Sequence, residues 1–111
     1  MELRNKIFEL IENEQGLAGS STRMVFTNNS SPYEATYSGP NVSNGHVLAS
    51  YIDETLTMIY HAFTAEGQLV AGKATVELSE TSAGNLLMQL NWQWLTDDKS
   101  TGISKWREIN T

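Results

Sequence analysis

Leu86-Leu87-Met88-Gln89-Leu90-Asn91-Trp92-Gln93-Trp94-Leu95 is the stretch that decides the fold. Its even positions, Leu86, Met88, Leu90, Trp92 and Trp94, are all apolar, while Gln89, Asn91 and Gln93 sit at odd ones. Successive side chains of a strand point to opposite faces, so this period of two describes a β-strand with one buried and one polar face. A helix would gather Leu86, Leu90 and Trp94 on one side and turn Met88 and Trp92 away from it. The chain declares architecture here, before any chemistry.

Outward from this strand, other apolar runs alternate with turn signals. Gly102 to Ile109 follows a turn at Asp97 to Thr101, and Leu69 to Leu78 precedes one at Thr81-Ser82-Ala83-Gly84-Asn85. Gly72 inside Leu69 to Leu78 marks a bulge or a close backbone approach. Ala65-Glu66-Gly67-Gln68 reads as a tight hairpin in which Gly67 supplies a positive φ. Thr55 to Thr64 and Val47 to Ile52 are joined by the short Asp53-Glu54 link, and both faces of Thr55 to Thr64 are partly apolar, so its inward side stays open. Gly39 to Gly45 carries Gly-Pro and Asn-Gly and reads as a turn. Tyr33 to Tyr37 alternates, with Tyr33, Ala35 and Tyr37 on one face, and Arg23 to Thr27 is a further strand. Gly16 to Ser21 is a small-residue loop, and Ile7 to Glu12 is either a first strand or one helical turn.

Seven or eight strands with short connections pair antiparallel in order, as a meander. Closing it removes the exposed edges, and about eight strands leave an interior that side chains fill or that holds one small ligand. The expected fold is therefore all-β: a seven- to eight-stranded antiparallel up-and-down barrel of the lipocalin or avidin kind, one domain over residues 1–111. An open meander or a sandwich is the alternative.

Composition narrows function by exclusion. The 111 residues carry a net charge of −6, and the seven Lys and Arg are scattered, which argues against nucleic acid and against anionic membrane surfaces. There is no cysteine, hence no disulfide, thiolate metal site or cysteine nucleophile. Charges interrupt every apolar run near the N-terminus and no segment approaches transmembrane length, so a cytoplasmic location is expected. No Gly-x-Ser-x-Gly, P-loop or Gly-x-Gly-x-x-Gly occurs.

The side chains that remain suggest binding. Trp92 and Trp94 point the same way and, with Met58, Tyr60 and Met88, form a set that a closed barrel would turn inward, although large aromatics also simply fill cores. Trp106 shares its parity with Ser104 and Glu108, while Gln89 and Arg107 fall on a face that is more naturally solvated. His46 and His61 are the two histidines, and a hairpin centred on Asp53-Glu54 sets them opposite each other. Such a pair binds a metal with a nearby carboxylate, or moves a proton, but two imidazoles without a third ligand make a thin case for zinc.

Thr36-Tyr37-Ser38-Gly39, Gly45-His46, Met58-Ile59-Tyr60-His61, Glu66-Gly67, Trp92-Gln93-Trp94, Gly102-Ile103-Ser104 and Glu108-Ile109 form an ordered series of short matches. Over roughly residues 22 to 110 the chain resembles a family of small bacterial proteins, many of which carry the label N-acetylglutamate synthase. The resemblance implies a compact antiparallel β-barrel and assigns no catalytic residue. The usual acetyltransferase fold feeds a glycine-rich turn and a helix N-terminus to the pyrophosphate of acetyl-CoA. The nearest string here, Gln15-Gly16-Leu17-Ala18-Gly19-Ser20, has Ala where the first glycine should fall.

The expected function is a non-enzymatic barrel that binds a small apolar or aromatic ligand through Met58, Tyr60, Met88, Trp92 and Trp94, with His46 and His61 nearby. No cofactor or metal is expected. An acyltransferase or hydrolase working through the His46/His61 region, and a homodimeric interaction protein, are the alternatives.

Overall fold

The computed structural model describes residues 3–13, 21–96 and 99–109. Eight strands run in chain order: β1 (Ile7–Asn13), β2 (Arg23–Phe26), β3 (Tyr33–Gly39), β4 (Val42–Ile52), β5 (Thr55–Thr64), β6 (Leu69–Glu80), β7 (Leu86–Trp94) and β8 (Thr101–Ile109). Each pairs antiparallel with the next, and β1 pairs with β8, from Ile7 opposite Ile109 to Asn13 opposite Ser104. The sheet is a closed barrel, so the sandwich and the open meander are set aside. Ile7 to Glu12 is strand, not a helical turn.

Alternation does the sorting. Met88, Leu90 and Trp92 of β7 are buried while Asn91 is exposed. In β5, Leu56, Met58, Tyr60 and Ala62 point inward, and Thr57, Ile59, His61 and Phe63 point out. Small and large inward residues meet across strands, as where Ala49 and Ala74 flank Met58, a pairing that suits the taper of a barrel interior.

One turn reading is corrected. Asn44 and Gly45 lie inside β4, beside a register shift between Val42 and Asn44, and not in a turn. Gly45 stands opposite Tyr37, whose ring occupies the space a Cβ would take, so packing outweighs the local turn preference of Asn-Gly. Gly72 shows the close approach rather than the bulge: β5 and β6 keep register through Gly72, which faces Tyr60. Gly67 has the expected positive φ, +86°. The small-residue loop falls, apart from Ser21, outside the described residues, as do Asp97 and Asp98 of the acidic turn.

The two barrel ends differ. At one end Leu3, Phe8 and Phe26 are fully buried, with the two phenylalanine rings edge to face at 5.7 Å. The Asn29 side chain accepts from the backbone N–H groups of Leu3 and Arg4, which holds this plug in place. Glu108 seals the β1–β8 seam at the same end, accepting from Lys6 Nζ at 2.7 Å and from the Leu86 N–H at 2.9 Å. The other end, reached by the C-termini of β1, β3, β5 and β7, is lined by aromatic rings and carries the cavity. No helix among the described residues is long and apolar enough to cross a membrane.

Candidate functional site

Four rings form a continuous series at the open end. Tyr37 meets Tyr60 edge to face at 6.4 Å, Tyr60 meets Trp94 in the same manner at 5.7 Å, and Trp92 lies tilted against Trp94 at 6.0 Å. Glycines make this possible. Tyr37 faces Gly45 and Tyr60 faces Gly72, so each ring lies flat over a residue that lacks a side chain. Gly72 also pairs with Trp94, which brings that indole beside Tyr60.

These rings, with Trp106, Met24, Met58, Val42, Val47 and Leu90, line a cavity of about 60 Å³. Asn13 and Ser104 are the polar residues of its lining, and no charged side chain among the described residues lines it. Ser104 is already engaged, since its hydroxyl oxygen accepts from Trp106 Nε1 at 3.0 Å. Burial pushes the Tyr37 and Tyr60 phenols above their ordinary value, helped for Tyr60 by Tyr37, so both stay neutral.

One polar atom is left over. Trp92 is only 6% exposed, and its Nε1–H has no hydrogen-bond partner among the described residues. A buried donor without a partner costs about 1–3 kcal/mol, so such a group commonly marks a place for water or a ligand atom.

Residues 1–109 match a family described as avidin-like protein. The chain belongs to the avidin-like protein family. No curated protein and no solved structure matches it. Membership in the avidin-like family accounts for the eight-stranded closed barrel and assigns no activity, and nothing in these comparisons matches an N-acetylglutamate synthase specifically.

In this avidin-like barrel the residues singled out from sequence fall into three places. Met58, Tyr60, Trp92 and Trp94 line the cavity together. Met88 is buried but lies deeper, opposite Trp106 on β8 and Leu78 on β6, outside the cavity lining. His46 and His61 are paired as the hairpin register requires, yet both are exposed on the outer face, so they sit apart from the interior set. Their parity decides this: they alternate with Val47 and with Tyr60 and Ala62, which point inward. Gln89 and Arg107 are likewise outside, and Gln89 donates to Glu77.

Sequence reasoning missed Tyr37 and Met24 as cavity residues. Tyr37 had a signal in its shared face with Tyr33 and Ala35, but its neighbours across the sheet depend on the register of β3 against β4. Met24 lies on a strand of four residues, too short for alternation to show.

Proposed function

We propose that this barrel is a non-catalytic binder of a small, uncharged, largely apolar or aromatic molecule at its open end. The observation that carries the reading is the aromatic-lined cavity itself, one of whose lining residues, Trp92, also has a buried Nε1–H without a partner among the described residues. Binding sites combine apolar walls with a few placed polar groups that fix orientation. Here the walls are Tyr37, Tyr60, Trp94 and Met58, Asn13 and Ser104 are polar residues of the lining, and the buried Trp92 N–H is the donor still without a partner. A ligand with one hydrogen-bond acceptor satisfies it. A charged ligand finds no counter-ion in the cavity lining and would pay its desolvation uncompensated.

Size supports a small ligand as well. The cavity of about 60 Å³ has room for a few waters or a small substituent. A ring enters only if Trp94, half-buried at the mouth, swings aside. Titrating tryptophan emission with cyclohexanone and with methylenecyclohexane tests the reading, because the two share a shape and only the first has an acceptor. Both are expected to bind, the ketone about tenfold more tightly, which is one net hydrogen bond. Trp92→Phe removes that difference and keeps the hydrocarbon's affinity. Unchanged emission with these and a wider panel of hydrophobic metabolites overturns the reading.

A second reading, self-association, has its own observation. The outer face of β4 to β6 exposes Leu48 opposite Ile59 and, beyond the His46–His61 pair, Phe63 opposite Leu69, two short apolar strips on a chain of net charge −6. Such strips often mark protein contacts. A dimer by light scattering that Ile59→Lys converts to monomer supports it, and a monomer at high concentration removes it.

A further inference from the structure

We propose that His46 and His61 form a binding site for a divalent transition-metal ion of the copper, nickel or zinc class on the outer wall of the barrel. The proposal is independent of the interior ligand. His46 and His61 are direct partners across β4 and β5, in a stretch where the register is continuous from Asn44–Phe63 to Ile52–Thr55. Their rings are stacked, with centroids 5.6 Å apart and planes within 18°. Antiparallel pairing fixes the two backbones, so much of the entropy of bringing two imidazoles together has been lost in folding the barrel.

The surroundings leave the rings accessible. Thr36 lies beside His46 on β3 and Ala71 beside His61 on β6, and both are too small to cover an imidazole. Glu34 lines the same surface groove as the two histidines and adds a negative charge, and Lys73 is the cation on the β6 side, opposite Ile59. A net charge of −6 favours cations near this surface. Imidazole nitrogen suits copper, nickel and zinc, whereas calcium and magnesium prefer oxygen donors, so the donor set selects the class. No group of three or more His, Asp or Glu fit for a metal occurs among the described residues. The site is therefore a two-nitrogen one, with its remaining positions left to water, and copper heads its affinity order.

The test is a titration of the intact, chelator-stripped protein with Cu²⁺, followed by calorimetry and by electron paramagnetic resonance. One Cu²⁺ per chain with the hyperfine pattern of two imidazole nitrogens is expected, and diamagnetic Zn²⁺ is expected to shift the ring signals of both histidines. His46→Gln and His61→Gln each weaken binding at least tenfold and leave the far-ultraviolet dichroism unchanged, because both side chains are exposed. Calcium and magnesium do not compete. The proposal is overturned if copper binds the double Gln variant as tightly as the parent, if only one histidine is perturbed, or if no saturable binding occurs.

Discussion

Gly72 is the residue on which the aromatic end turns. A Cβ built there would lie 2.6 Å from the Cε2, Cζ and hydroxyl oxygen of Tyr60, in a ring that also contacts Tyr37 and Trp94. Gly72→Ala must therefore push Tyr60 off its place, and overpacking of this kind costs about 1–3 kcal/mol. Urea denaturation is expected to show that loss, and the cyclohexanone titration to show weaker binding, while Ala at exposed Gly84 leaves the titration unchanged. The sequence flagged Gly72 as a bulge or a close approach, because a lone glycine in a strand signals both. Deciding between them needed the partner strand, and so did finding Tyr37 opposite Gly45. The tryptophans were legible as an inward set because they share parity on one long strand. The missing partner of Trp92 was not, since hydrogen-bond satisfaction depends on every neighbour at once.

The strands themselves were read with uneven ease, and the reason is physical. β7 alternates apolar and polar side chains cleanly, so its inner face is unambiguous. β5 carries Ile59 and Phe63 on its outer face, and pattern alone could not tell that face from the one holding Met58 and Tyr60. β4 was read too short because Asn44-Gly45 resembles a turn. The β4–β5 turn falls where it was expected, at Asp53 and Glu54, with φ of 52° and 64°. A two-residue hairpin with both central residues at positive φ is one that favours Asn-Gly, and a glutamate there is strained. Glu54→Gly is expected to stabilise the barrel by about 0.5–1 kcal/mol, the relief of strain exceeding the added chain entropy of glycine. A rise in the thermal midpoint checks it, and a fall would show that the Glu54 conformation carries no strain.

The β1–β8 seam gives the second prediction at this scale. Hydrogen bonds from the Lys6 ammonium and then the Leu86 N–H hold the Glu108 carboxyl below the ordinary glutamate value of 4.5, against an opposing effect of burial. A carboxyl with a depressed folded value contributes stability that is present above the unfolded value and is lost as pH falls through the folded one. Stability of the parent should therefore decline as pH drops below about 4.5, and Glu108→Gln should flatten part of that decline. At neutral pH the same substitution costs about 1.5–3 kcal/mol, the order expected for a hydrogen bond to a charged group. Denaturation curves of both proteins across this pH range decide it. The exposed pairs Arg23–Glu9 and Lys105–Glu12, each at 3.5 Å, should contribute little by comparison.

At the scale of the whole molecule, closure is what converts a list of strands into a site. Regular spacing of turns made a meander legible, and the cost of open edges made a barrel the preferred ending. Whether β1 reached β8 was not written in any segment. That pairing sets Ile7 opposite Ile109, so the first and last strands end side by side at the plugged end. The chain can then be rejoined there by a short linker and opened at Asp53-Glu54, where both residues are exposed. This permutant keeps every ladder, but it makes the β4–β5 pairing, one of the two joined by a two-residue turn, the most distant in sequence. Long-range pairing slows folding more than it lowers stability. The expected outcome is a protein with the parent's dichroism and cooperative unfolding, a modest loss of stability, and clearly slower refolding. Opening the same ring between Leu90 and Asn91, inside β7 and next to buried Trp92, should instead abolish cooperative folding, because it cuts a strand that carries ladder bonds to both β6 and β8. If that second permutant folds as well as the first, the continuity of β7 is not what holds the indoles in place.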